Sequence, residues 1–472
     1  MGLKDLSKYL GTSILSKVVS FIAIPVYTRV FGVELYGEFS MYLAVFSLCS
    51  LLFEFGSKKM ITQIWFDFKD ENDRFAYYAK FFKYQFLISA LTAVLLALYS
   101  NQLGGFFKIR PTIFTLGVFA ALLQLPIQYI SVVLQFLRKS SLFSMLSFVN
   151  DGVIRIVAVV LILIPFLHHK VYIEGMVRIA IEIGLLLYLL VVSRNHFSGT
   201  TSQSFKSKAF FNTSILLTLS NLSTLMLSIG DRFVINKMLT LKDTSLYALT
   251  YDVALLLSLF INALATYYMP KFFAHLNNQA QEDASKLINN VMYITAVAAL
   301  FLSLFSYEAI YLLGGVYYLE WSYLAYINIL GVLAMAFYTL FSQILFFNKK
   351  NFFLSLFTFL AACFNIGCNI VLIPHLGILA ASLLSFAAYL LLLLLSIGYV
   401  QFKMPEFYRS LIHKKKVFAI LFLLVTFNLL LLFLDGIAQQ YYWQYLTAKL
   451  LFSMLFLYIA FRKKWYKILL SI

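Results

Sequence analysis

The chain has 472 residues, 62% of them hydrophobic and only 12% charged, with a mean hydropathy of +0.87, whereas soluble domains carry roughly 25% charge. No packed globule has interior enough for so much apolar surface, so lipid must be its solvent. The net charge of +17 does not indicate nucleic acid, because the cations sit in short connectors between apolar runs and not on one face of a soluble module.

Runs long enough to cross a hydrocarbon layer of ~30 Å predict about fourteen transmembrane helices. They lie near 10–31, 39–57, 84–101, 113–135, 144–166, 175–193, 211–230, 246–268, 288–312, 320–347, 353–374, 377–399, 417–435 and 443–461. The first run has no small-residue cleavage site and reads as a retained helix, not a signal peptide. With the N-terminus taken as cytoplasmic, the inner connectors hold 26 Lys and Arg against 6 in the outer ones. That bias predicts the orientation, and an even number of spans places Arg462-Lys463-Lys464 in the cytoplasm as well.

The connectors carry no catalytic signature. The longest outer one, 231–245, is too short for a catalytic domain, and no G-x-x-x-x-G-K-[ST], H-E-x-x-H, G-x-S-x-G or C-x-x-C occurs. Asp67-Phe68-Lys69-Asp70-Glu71-Asn72-Asp73 in the inner loop 58–83 lacks the Gly and terminal Glu of a calcium loop and puts Lys69 at a ligand position. Cys49, Cys363 and Cys368 lie in apolar runs and offer neither a disulfide framework nor zinc spacing.

A faint internal repeat organises the spans. Leu35-Tyr36 returns as Leu246-Tyr247, and Leu163-Ile164-Pro165 as Leu372-Ile373-Pro374, at offsets of 211 and 209; Phe143 and Phe148 match Phe352 and Phe357. Both matches open or close equivalent spans. The expected fold is an all-α integral membrane protein of two pseudo-symmetric six-helix lobes plus two C-terminal helices. The lobes would be 1–200 and 201–402, followed by spans 13 and 14 with the tail in 403–472. Six spans per lobe is even, so the repeats are parallel, as in many secondary transporters.

Ten ionisable residues fall inside spans: Lys17, Arg29, Glu54, Asp151, Arg155, Arg178, Glu182, Asp252, Glu308 and Lys449. Each costs of order 2.5–3.5 kcal/mol at mid-bilayer unless it faces protein, a partner or water. Asp151 with Arg155, and Arg178 with Glu182, are four apart and predict pairs on one helical face. Such pairs either neutralise themselves and lock helices together or line a wet, net-cationic cavity. Span 7 carries Ser214, Thr218, Asn221, Thr224, Ser228 and Asp231 on one face, and span 1 carries Ser13, Lys17, Ser20 and Thr28. Hydroxyl stripes serve close helix packing, but a stripe in both equivalent spans points to a shared cavity. Pro25 and Pro126 lie well inside spans 1 and 4 and predict kinks there.

Three stretches resemble a known family. Ile24-Pro25-Val26-Tyr27-Thr28-Arg29-Val30-Phe31-Gly32 with Leu35-Tyr36-Gly37-Glu38-Phe39, then Gly230-Asp231-Arg232-Phe233-Val234-Ile235, then Asn365 to Ala381 with Asn369, Ile373-Pro374 and Gly377, are similar to signatures of the Wzx-type O-antigen flippases. These belong to the multidrug/oligosaccharidyl-lipid/polysaccharide (MOP) superfamily, whose fold is also that of the MATE transporters. Two positions depart from the pattern: Ser245 precedes Leu246-Tyr247 where Gly is frequent, and Ile378-Leu379-Ala380 stands where a Gly-Ala pair is usual.

The resemblance implies a flippase, not an enzyme, that carries undecaprenyl-pyrophosphate-linked oligosaccharide from the cytoplasmic to the periplasmic leaflet of a bacterial inner membrane by alternating access. Its partners would be the lipid-linked substrate, membrane lipids and polysaccharide polymerase machinery, with no nucleic acid. No cofactor is expected beyond proton or sodium coupling. An anionic pyrophosphate headgroup suits a cationic vestibule, which makes Lys17, Arg155 and Arg178 the expected substrate contacts. Arg29, Asp231 and Arg232 are expected to gate or brace the periplasmic side, and Asp151, Glu182 and Asp252 to couple an ion. A multidrug antiporter of the same superfamily would favour carboxylates over Arg. A membrane O-antigen polymerase would carry a large periplasmic loop, and a scaffold would leave the embedded charges without purpose.

Overall fold

A computed structural model describes residues 3–58, 61, 71–137, 139–193, 207–438 and 442–462, and among them every regular element is helical. In chain order these are α1 (Leu3–Glu54), α2 (Glu71–Leu98), α3 (Ser100–Phe107), α4 (Pro111–Phe136), α5 (Ser140–Phe148), α6 (Ile154–Ile162), α7 (Ile173–Ser193) and α8 (Ser207–Met238). There follow α9 (Leu241–Asn277), α10 (Gln281–Leu304), α11 (Ser306–Gly314), α12 (Tyr323–Phe347), α13 (Asn351–Leu376), α14 (Ile378–Lys403), α15 (Glu406–Leu411), α16 (Lys414–Ala438) and α17 (Tyr442–Arg462).

Among the described residues, eleven helical segments are long and apolar enough to cross a membrane. The protein is therefore an all-α, multi-pass membrane protein. The first segment, Leu15–Glu54, is 40 residues long, about 60 Å as a straight helix and twice what one crossing needs. The expected count of fourteen treats α1 as two spans and adds α7 and α8, which are not among the eleven.

α1 is broken where the two expected spans meet, at Gly32 (φ 72°, ψ 179°). That backbone region is essentially restricted to glycine. Pro25, seven residues earlier, sits inside α1 without non-helical dihedrals. The helix breaks at Gly32, within the 32–38 interval expected between spans 1 and 2, and Pro25 leaves the helical dihedrals intact. Thr28 Oγ1 donates to the carbonyls of Ile24 at 3.1 Å and Pro25 at 3.2 Å within the Pro25 turn.

The chain forms two compact units, Met1–Ser245 and Leu246–Ile472. In the first, α1 is the central element: α4, α5, α6 and α8 all pack against it. Gly37 permits the close approach of the start of α9, because a Cβ there would lie 2.0 Å from the Leu241 carbonyl oxygen. Between α5 and α6 one π-turn, Val149–Val153, interrupts the α-helix.

The second unit is built on α12, packed against α14, α10 and α16. Its interior is tied by buried polar pairs: Tyr247 with Ser385 at 3.1 Å, Tyr251 with Tyr389 at 2.8 Å, and Asn369 with Asn365 at 3.2 Å. The two last helices dock through charge. Lys449 in α17, almost wholly buried, donates to both carboxylate oxygens of Glu308 in α11 at 3.1 and 3.2 Å. Asp435 in α16 accepts from the Tyr326 hydroxyl, and Asn428 donates to the Tyr326 carbonyl. Two of the embedded charges therefore answer one another.

The Gly32 break supplies a test. No atom lies within 4 Å of a Cβ built at Gly32, so Gly32→Ala meets backbone strain alone, of order 1–3 kcal/mol. A lowered melting temperature in detergent is expected, with Gly105→Ala, which lies inside helix α3 in equally open space, much less affected.

Candidate functional site

The charged residues of the first unit collect around α1. Arg178 of α7 is 2% exposed and lies between two carboxylates of its own helix, Glu174 and Glu182, each 3.6 Å away. The spacing is one helical turn on either side, so the three side chains share a face. The Cζ of Arg178 also stands 4.6 Å from the centre of the Phe46 ring on α1, a cation–π contact. Glu174 and Glu182 are buried as completely as the guanidinium, and separations of 3.6 Å mean attraction by charge rather than short hydrogen bonds.

α1 presents two tyrosines to this triad. Tyr42 lies within electrostatic reach of Arg178, Glu174 and Glu182, and Tyr27 within reach of Glu174, Arg155 and Arg178. Both rings are buried. Tyr27 thus links the triad to the second cation, Arg155 of α6.

Arg155 does not pair with Asp151. Asp151 lies inside the π-turn Val149–Val153, whose extra residue shifts the helical register between it and Arg155, so the expected four-residue pairing is lost. Arg155 Nη1 instead donates to Ser20 Oγ on α1, and Ser20 in turn donates to the Ser16 carbonyl at 2.8 Å. No carboxylate lies within ion-pair distance of Arg155 among the described residues. Asp151 accepts from Asn150 Nδ2 at 3.3 Å and contributes to the field at Arg178 and Glu182.

Lys17 is half-buried, one helical turn before Ser20 on α1, and makes no ion pair or hydrogen bond with a described residue. Lys17 of α1 and Arg155, bonded to Ser20 of α1, thus have no carboxylate at ion-pair distance among the described residues. Arg178 is compensated twice. Three cations grouped by sequence alone fall into two chemical situations.

The remaining candidates lie elsewhere. Asp231 and Arg232 end the polar stripe of α8 and are buried at 1% and 7% exposure. Arg232 Nη1 donates to Ser40 Oγ at 3.1 Å, and Asn236 Nδ2 donates to the carbonyls of Phe107 and Lys108. The Gly230-Asp231-Arg232 motif therefore meets the segment that follows Leu35-Tyr36-Gly37. Glu38 in that segment is bridged to Arg110 at 3.1 Å. Arg29 is exposed, and Asp252 is half-buried in the second unit. In the stripe, Thr224 and Ser228 donate to their own helix, to the carbonyls of Ser220 and Leu225. The side chains of Ser13 and Ser214 lie outside the described residues.

Sequence reasoning missed Glu174, Tyr27, Tyr42 and Phe46 as neighbours of Arg178. Glu174 was legible: it precedes Arg178 by four residues as Glu182 follows it by four, but the expected span opened at 175. The tyrosines carry no such signal among 31 in the chain.

A family model described as polysaccharide biosynthesis protein matches residues 3–275. Among solved structures, the lipid II flippase MurJ in an inward closed conformation matches at a TM-score of 0.61 and 15% identity, over 91% of this chain and 98% of that one. An inward-facing multidrug resistance MATE family transporter of the MOP superfamily matches at 0.59 and 12% identity, over 83% and 94%. A MOP superfamily transporter from Pyrococcus furiosus matches at 0.53 and 12%, over 85% and 95%. At such identities the likeness establishes the fold. No curated protein matches the chain.

The triad makes a separable forecast. Arg178→Ala strands two buried carboxylates and is expected to cost about 3–5 kcal/mol, read as a large drop in detergent melting temperature. Removing all three charges together, as R178L/E174Q/E182Q, is expected to recover most of that loss.

Proposed function

Because this chain belongs to the polysaccharide biosynthesis protein family, we propose that it is a flippase, not an enzyme, which carries an undecaprenyl-pyrophosphate-linked oligosaccharide between the leaflets of a bacterial inner membrane by alternating access. The polymer would be an O-antigen or capsule, both termini would be cytoplasmic, and polymerase machinery would receive the product. The observation that carries this reading is the state of Arg155 and Lys17, two cations of the first unit with no carboxylate at ion-pair distance among the described residues. An embedded cation left unpaired requires an anion or water. A pyrophosphate offers charge-assisted hydrogen bonds to both.

Arg178 enters differently. Held by Glu174 and Glu182, it orders α7 against α1 and sets the field in which Arg155 works. Its contact with substrate would be indirect, through Tyr27. Arg232, bonded to Ser40, suits the bracing role expected of it together with Asp231. Among the coupling candidates, Asp151 fits best, because it is half-buried with a neutral hydrogen-bond donor beside it and no paired cation. Proton binding there would alter the field at the Arg178 cluster.

The same fold serves multidrug transporters, but a site for cationic drugs needs free carboxylates. Here Glu174 and Glu182 are committed to Arg178, and against Asp151 the first unit sets two cations, Arg155 and Lys17, with no carboxylate at ion-pair distance among the described residues. The lipid-linked anion is the better match.

Arg155→Ala and Lys17→Ala are expected to leave membrane expression unchanged and to abolish surface polysaccharide, with lipid-linked intermediate accumulating. Arg155→Lys is expected to retain part of the activity, since the charge remains and the planar fork is lost. Purified protein in liposomes, with leaflet exposure of lipid-linked glycan followed with and without a proton or sodium gradient, tests the transport step. Wild-type polymer levels in both alanine variants would remove the site. Asp151→Asn is expected to remove the response to a proton gradient while substrate still binds.

A further inference from the structure

We propose that the connector between α14 and α16 is a binding site for the headgroup of an anionic membrane phospholipid, separate from the carried lipid. The connector joins α14 and α16, each of which belongs to a segment long and apolar enough to cross a membrane. It therefore lies at a bilayer surface whichever side that is. Lys403, Arg409, Lys414, Lys415 and Lys416 are all exposed here, against one carboxylate, Glu406. None of the five forms an ion pair with a described residue.

The cations are held in place. Met404, Leu411 and Ile412 are buried and anchor the connector. Ser410 Oγ accepts from Gln281 Nε2 at 2.6 Å, and His413 Nε2 lies 2.9 Å from Ser285 Oγ, both at the start of α10. Arg409 Nε donates to the Met404 carbonyl at 2.6 Å, and Gln401 Nε2 to the Arg409 carbonyl at 3.1 Å. A charge cluster on a fixed frame binds an anion without first having to be ordered.

The arrangement is also unfavourable without an anion. Lys414, Lys415 and Lys416 occupy the first turn of a 25-residue helix, the end where the helix dipole repels positive charge. Like charges at three successive positions add to that repulsion. Orientation in the membrane needs cations near the end of a span, but not three packed on a helix start. Phe402, 80% exposed, and Phe418, 44% exposed, flank the cluster and offer apolar rings at the depth where acyl chains begin. Phosphate beside hydrocarbon is the chemistry of a phospholipid, so a lipid headgroup fits better than a soluble anion.

The test is lipid retention. Protein equilibrated with mixed micelles of phosphatidylglycerol and phosphatidylcholine is expected to carry bound phosphatidylglycerol in native mass spectra. K414Q/K415Q/K416Q is expected to lower that occupancy affinity about tenfold or more, and K415Q alone about fivefold, while K414R/K415R/K416R retains it. K349Q/K350Q, altering two exposed lysines in the connector two spans earlier, serves as the control and is expected to retain it too. Wild-type retention in the glutamine variants, or an equal loss in the control, overturns the proposal. So does inorganic pyrophosphate raising the melting temperature as much as phosphatidylglycerol, since that would assign a soluble anion. The single variant keeps the test open if the triple variant does not fold. Polysaccharide export is not the readout, so failure here leaves the flippase reading untouched.

Discussion

Arg178 is buried, at 2% exposure, and lipid offers its charge nothing. Its guanidinium is tolerable inside the first unit only because Glu174 and Glu182 bracket it and an aromatic ring covers it. Every element around that point is constrained in turn. α7 must bring its charged face to α1, and α1 must supply Phe46, Tyr42 and Tyr27 rather than aliphatic side chains. A buried charge cluster of this kind is a demand on its neighbours before it is a source of stability.

The unpaired cations follow from the same logic by contrast. Arg155 and Arg178 reach α1 at Ser20 and Phe46, on either side of the Gly32 break, and three carboxylates lie on α7 and inside the π-turn. Two of those carboxylates are committed to Arg178. The register change at Val149–Val153 denies Asp151 to Arg155, which turns to a serine hydroxyl instead. One extra residue in a helical turn thus replaces an expected ion pair by two separate hydrogen bonds, Arg155 to Ser20 and Asn150 to Asp151.

Polar backbone and side-chain groups elsewhere are handled conservatively. Thr224, Ser228 and Thr28 return their hydroxyls to their own helices, and the second unit pairs tyrosine with serine and tyrosine with tyrosine. Glu308 and Lys449 neutralise each other where the last helix docks. Against that background the embedded charges without a carboxylate partner among the described residues stand out, as do the exposed lysines at the head of α16.

The helical membrane fold was readable from the chain because lipid punishes any apolar run shorter or more polar than a crossing requires, so run length and connector charge carry the architecture. The family signatures were readable because glycine at 32 and 37 answers local demands, a backbone conformation and a close approach. Composition and spacing also marked which charges were embedded. They did not say which would pair. Pairing depends on helical register and on which neighbour arrives across space: a π-turn separated Asp151 from Arg155, Glu174 lay just outside the expected span, and Ser20 is 135 residues from its partner. Charges at four-residue spacing are neighbours only along an unbroken α-helix, and only the tertiary structure decides where the helix is broken and what fills the gap.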